Sequence, residues 1–137
     1  MPHLYRGGEL VIVIDCSDPA RSALFWSAVL GYQPGRVTTG PYRSLEPDAP
    51  LTGIEVLLQQ VPETKQRKNR LHLDLRTADL DTEVARVTGL GATRLTAEPI
   101  TEDGWRWHVL ADPDGNEFCV LQPPWRPDAA PAPETPA

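Results

Sequence analysis

Cysteine is scarce in this chain: two in 137 residues, which argues against the disulfide framework of a small secreted scaffold. Cys16 and Cys119 stand far apart among apolar, strand-like neighbours and read as reduced, buried thiols. A cationic excess is missing too, since 13 lysines and arginines face 19 aspartates and glutamates, for a net charge of −6. Nucleic acid and anionic membrane both call for a clustered basic face, so neither is expected as a partner and a small molecule is. No apolar run approaches the roughly twenty residues that cross a bilayer. The N-terminal stretch MPHLYRGGE lacks the apolar core of a secretory leader. A cytoplasmic protein is the expectation.

What is present is enough for one domain with a real core. Residues 123–137, PPWRPDAAPAPETPA, are dense in proline and alanine and are predicted to form a disordered tail. Trp125 is the one aromatic there that could pack back on the body or on a partner. His3 falls in a terminus expected to fray.

The rest of the chain repeats itself. Residues 10–32, LVIVIDCSDPARSALFWSAVLGY, read as strand, cap, helix and stop: Asp18 caps, Pro19 suits the first turn, and Leu30-Gly31 ends the helix. The same order recurs in residues 71–92, with Asp79 as cap, Leu80, Val84 and Val87 at helical spacing, and Leu90-Gly91 as stop. Laying Asp18 on Asp79 matches Val11 with His72, Val13 with Asp74 and Asp15 with Arg76. The later strands repeat as well. Laying residues 41–59 on 104–122 matches Tyr42 with Trp105 and Val56 with Cys119. With short β candidates at 33–39 and 93–98, each half reads βαβββ. The modules span about 9–61 and 70–122, joined by a polar linker at 62–69. Its Lys65, Arg67 and Lys68 are either solvated or placed at a pocket mouth for anionic substrates.

Residues 69–76, NRLHLDLR, alternate with period two, so Leu71, Leu73 and Leu75 share one face of a strand and His72, Asp74 and Arg76 the other. The leucine face is expected under the helix. An α+β fold follows, in which two βαβββ modules of one chain form a half-open, curled sheet whose polar face lines a cleft.

Over residues 9–122 the chain resembles the vicinal oxygen chelate superfamily of glyoxalase, bleomycin-resistance and extradiol-dioxygenase-like proteins. The carriers are the doubled Asp-helix-LeuGly unit, HLDLRTADL at 72–80 and DPDGNEF at 112–118. The glyoxalase-like subgroup, with KNRLHLDL and GNEFCVL, is nearest in pattern. DPDGN is also a turn cluster on its own chemistry. The resemblance implies the glyoxalase-like fold, a homodimer, and a divalent metal held at four places that fall here on Val11, Val56, His72 and Cys119. One of those four is a histidine, two are valines and one is a thiol. No cofactor is therefore expected, the alternative being a divalent metal relocated to His72, Glu117 and Cys119.

Three functions stay open. The first is a metal-independent enzyme using His72 with Asp74 or Glu117 as acid and base in an isomerase, hydratase, hydrolase or lyase-type step; an imidazole titrates near neutral pH. In that reading His72 and Asp74 lie side by side on the strand without touching. The second is a non-catalytic binder of an aromatic metabolite or antibiotic, the third a metal-dependent lyase or dioxygenase with relocated ligands. Val11, Val13, Asp15, Val56, Arg76, Trp105, Trp107 and Cys119 are the candidate substrate-binding residues, with Asp15 a candidate salt partner of Arg76. Periodicity alone does not orient the strand of Trp105 and Trp107 against Arg106 and His108. Trp26 and Trp125 are candidate interface anchors.

Overall fold

The computed structural model describes residues 10–48 and 53–125. The terminus with His3 and the proline-rich tail beyond Trp125 lie outside the described residues. By its contacts the chain divides into two compact units, Met1–Gln66 and Arg67–Ala137. Among the described residues no helix is long and apolar enough to cross a membrane.

The first unit runs β1 (Val11–Cys16), α1 (Pro19–Leu30), β2 (Gln33–Pro34), β3 (Tyr42–Glu46) and β4 (Glu55–Gln60). Its sheet has the order β1-β4-β3-β2, with β1 parallel to β4 and the other pairs antiparallel. The helix starts where Asp18 Oδ1 accepts from the backbone N–H groups of Ala20 and Arg21, at 3.1 and 3.2 Å. It stops at Gly31, whose φ of 69° a residue without Cβ adopts freely. Phe25, Trp26 and Val29 are buried on α1, as are Leu45, Val56 and Leu58 on the strands it covers. Trp26, expected as an interface anchor, is 1% exposed and packs edge-on against Phe25 inside this core. It is unavailable to a partner.

The second unit runs β5 (Asp74–Arg76), α2 (Leu80–Gly89), β6 (Thr93–Arg94), β7 (Ile100–Glu102), β8 (Trp105–Ala111) and β9 (Glu117–Gln122). The sheet order is β5-β9-β8-β6, with β7 also paired to β8 and β5 parallel to β9. Asp79 caps α2 by accepting from Thr82 N at 3.1 Å and Thr82 Oγ1 at 2.8 Å. Leu80, Val84 and Val87 are buried, as the spacing predicts, and α2 lies over β8 and β9. DPDGN forms the turn between those strands: buried Asp112 accepts from the N–H groups of Asp114 and Asn116, both at 2.9 Å.

Three expectations need correction. First, the strand expected from residue 71 begins at Asp74, and Leu71 is 90% exposed rather than core. The parallel pairing with β9 starts at Asp74, opposite Cys119, and its ladder reaches back only to the carbonyl of Leu73, so Leu71 lies outside the paired strand. Second, Val13 pairs with Leu57, as Asp74 does with Cys119, so Leu57 and not Val56 is the counterpart of Cys119. A one-residue slip moves every side chain to the opposite face. Val56 therefore sits under α1, 2% exposed, and lines no cleft. By the same registers Tyr42, opposite Gln59, matches Trp107, opposite Leu121, rather than Trp105. Third, the second unit carries one more strand than βαβββ. Its β candidate at 93–98 holds only to Arg94, and after Pro99, which offers no N–H, a new strand β7 starts on the same neighbour.

A tryptophan-walled candidate site in the second unit

Strand β8 settles which way its tryptophans point. Leu110 pairs with Phe118 and His108 with Val120, and all four are buried on the side covered by α2. His108 is 3% exposed, its Nδ1 lying 2.8 Å from Thr96 Oγ1, a hydroxyl that also accepts from Val109 N. Alternation then sends Trp105, Trp107 and Val109 to the opposite face, where they line a cavity of about 600 Å³. Two indoles make one wall.

On the neighbouring strands the same lining continues with Cys119, paired to Val109, and Asp74, paired to Cys119, and with His72 just ahead of β5. His72 Nδ1 stands 2.9 Å from Asp74 Oδ1. An ionised carboxylate only accepts, so Nδ1 carries the proton and donates, leaving Nε2 as the lone-pair nitrogen. The expectation of two side chains lying apart on a strand is overturned because His72 precedes the first paired residue of β5. Burial, then the charge of Asp74 and a hydrogen bond to it, push the Cys119 thiol up to about 11. It is a neutral S–H at physiological pH, suited to donate to Asp74 and not to attack.

The rim is acidic. Asp103 at φ 50° and Gly104 at φ 85° form the tight turn between β7 and β8, a conformation that Asp-Gly favours in hairpins. That turn holds Glu102 and Asp103 against the pocket. Glu117 Oε2 accepts from Asn69 N at 3.0 Å, and Asn69 Nδ2 donates to Glu117 O at 3.3 Å, which ties the incoming linker to β9. Lys68 alone of the linker cations lines the cavity. Arg76, one strand position beyond the lining, places its guanidinium carbon 5.3 Å from the ring centroid of Trp105 and 6.0 Å from that of Trp125. Trp125 packs edge-on to Trp105 with centroids 4.8 Å apart.

The structure thus brings His72, Asp74, Glu117, Trp105, Trp107 and Cys119 to one cavity. Val11, Val13 and Asp15 belong to β1 of the first unit and are not among its lining residues; Val56 is core. Glu102, Asp103, Val109, Phe118 and Leu121 were missed. Alternation from Trp107 and Cys119 would have found Val109 and Leu121, and the Asp-Gly pair after ITE was a hairpin signal for the acidic rim.

The four places where the resemblance implies a metal do not fit one. Val11 has no donor atom and Leu57 at the corrected register has none, which leaves the His72 imidazole and the Cys119 thiol, fewer donors than such an ion takes. The relocated set of His72, Glu117 and Cys119 is not the one that converges. His72, Asp74 and Cys119 bring one N, one O and one S atom within 4.8 Å of one another. Hydrogen bonds to the Asp74 carboxylate account for that cluster.

A family model described as Glyoxalase-like domain matches residues 11–121. No curated protein sequence matches the chain. Among solved structures, a glyoxalase/bleomycin resistance protein/dioxygenase family enzyme from Burkholderia phytofirmans PsJN superposes with a TM-score of 0.67 at 20% identity. The match covers 82% of this chain and 95% of that one. Fosfomycin resistance protein FosX from Mesorhizobium loti gives 0.63 at 18% identity, over 84% of this chain and 91% of that one. TioX from Micromonospora sp. ML1 gives 0.57 at 18% identity, over 85% and 98%. With the family model spanning residues of both units, the chain belongs to the glyoxalase-like domain family.

Proposed function

We propose that this protein is a metal-independent enzyme acting on a small molecule, with His72 as the proton-transferring group. The observation that carries the reading is the 2.9 Å hydrogen bond from His72 Nδ1 to Asp74 beside a tryptophan-walled cavity. A carboxylate on one ring nitrogen fixes the tautomer, orients the ring and stabilises the imidazolium once it forms. Nε2 is then the base, and after taking a proton it is the acid that returns it. Asp74 is in turn held by the neutral thiol of Cys119. Isomerisation, hydration, hydrolysis and elimination all use one such back-and-forth proton, and Glu117, on the same lining, is the second carboxylate available to that cycle.

A second reading, a binder that returns its ligand unchanged, is favoured by one feature: Trp105 and Trp107 on a single wall suit stacking whatever the chemistry. A metabolite library incubated with the wild type and with His72→Gln, and read by mass spectrometry, separates the two. A compound that the wild type converts, and that His72→Gln binds but leaves intact, supports the enzyme. Ligands retained and unaltered by both proteins would establish the binder and overturn the catalytic reading.

A further inference from the structure

The charges that line the cavity are unevenly matched. Four carboxylates line it, those of Asp74, Glu102, Asp103 and Glu117, against the single lysine Lys68. Two of the four are engaged: Asp74 accepts from His72, and Glu117 accepts from Asn69 N. Among the described residues Glu102 and Asp103 take part in no ion pair, and the Asp103-Gly104 turn holds them at the cavity. An anionic substrate entering past Lys68 would therefore meet carboxylates on the hairpin and beside the linker. Of the two readings of the linker cations, this lining favours the solvated one over an anion-binding mouth. The indole wall points the same way. The negative π face of Trp105 already holds one planar cation, the guanidinium of Arg76 at 5.3 Å, so the protein itself displays the contact that the wall favours.

We propose that the ligand of this pocket is a planar aromatic cation, its ring system on the Trp105-Trp107 wall and its positive charge toward Glu102 and Asp103. The proposal rests on the cavity being the small-molecule site of the protein, and it names the ligand class for either fate of that ligand, conversion or retention. A two-ring compound with a quaternary or protonated nitrogen fits within the roughly 600 Å³ available, with room for further substituents.

Three two-ring probes of similar size test it: N-methylquinolinium, 2-naphthol and naphthalene-2-sulfonate, titrated by calorimetry at pH 7 and low salt into the full chain. The cation should bind about tenfold or more tightly than the neutral and anionic probes, the gap narrowing as salt is added. In Glu102→Gln/Asp103→Asn that preference should largely vanish. Asparagine tolerates the positive φ of the turn, so an unchanged melting temperature will show that the hairpin has survived. Equal or tighter binding of the sulfonate, absence of quinolinium binding, or a preference untouched in the double variant would each overturn the proposal. His72→Gln in the same titration keeps the two readings apart. Cation preference retained there stands even if no conversion is ever found, and conversion of an anion by His72 would leave the acid-base reading intact while ending this one.

Discussion

Asp74 and His72 touch through a 2.9 Å hydrogen bond that two residues of a regular strand, spaced i and i+2, do not make. The ladder to β9 runs back to Leu73, whose carbonyl accepts from Cys119 N–H at 2.9 Å, and His72 stands just outside the paired residues of β5, where its ring meets the carboxylate. Asp74→Asn should leave the pocket shape in place and remove the charge that fixes the tautomer. Nitrogen-15 NMR of the wild type should show the proton on Nδ1, and in the variant a mixture of tautomers. Turnover of any converted substrate should fall by at least about a hundredfold. An unmixed Nδ1–H signal in Asp74→Asn would assign the tautomer to something other than Asp74.

Cys119 offers a pH test. Its folded pKa is raised from 9.0 to about 11, so the unfolded chain releases this proton first. The thiol's stabilising contribution is complete below pH 9 and is lost as pH rises toward 11. Alkaline unfolding should be steeper across that window in the wild type than in Cys119→Ala. At pH 8, alkylation of Cys119 should be at least about tenfold slower than that of a free model thiol, because so little thiolate is present. Rapid labelling at that pH would contradict the neutral S–H.

Metal content discriminates between the donor chemistry described above and a relocated chelate. Protein purified without chelator should carry far less than stoichiometric divalent metal by elemental mass spectrometry, and His72→Ala should not lower the value further. Near-stoichiometric metal that disappears in His72→Ala would make His72, Asp74 and Cys119 a ligand set.

Leu57 and Leu58 are adjacent on β4 and point to opposite faces. Leu58 is fully buried, so Leu58→Ala should cost about 2–5 kcal/mol of stability. Leu57, only half-buried, should cost less than about 1.5 kcal/mol on the same change. Denaturant midpoints of the two variants test the β4 register directly. A reversed order would restore Val56 to the face expected from the sequence repeat.

Gly104 sits at φ 85°, and a Cβ there would lie 3.1 Å from Pro124 Cβ. Gly104→Ala should destabilise the protein by roughly 1–2 kcal/mol and weaken ligand binding at the hairpin carrying Glu102 and Asp103. A variant as stable as the wild type would show that this turn tolerates a side chain.

Local chemistry in the sequence determined the repeated plan. Asp18 with Pro19, and Asp79 ahead of Leu80, Val84 and Val87, start two helices through backbone capping and 3.6-residue spacing, both of which act within a few residues. The turn at Asp112 is legible for the same reason, and so are six of the pocket residues, because alternation along residues 69–76, β8 and β9 narrows each stretch to two faces. Which face was chosen is a matter of partners far along the chain. Leu110 had to meet Phe118 under α2 before Trp105 and Trp107 could be assigned to the cavity and His108 to the core. The offset between the halves drifts from strand to strand with loop length, so a constant offset put Val56 where Leu57 belongs. The pairing of β5 starts at Asp74, beyond the leucine alternation that began at residue 71, because hydrogen bonds to β9 and not hydropathy set where a strand begins. Tertiary structure alone made that choice, and with it the contact between His72 and Asp74.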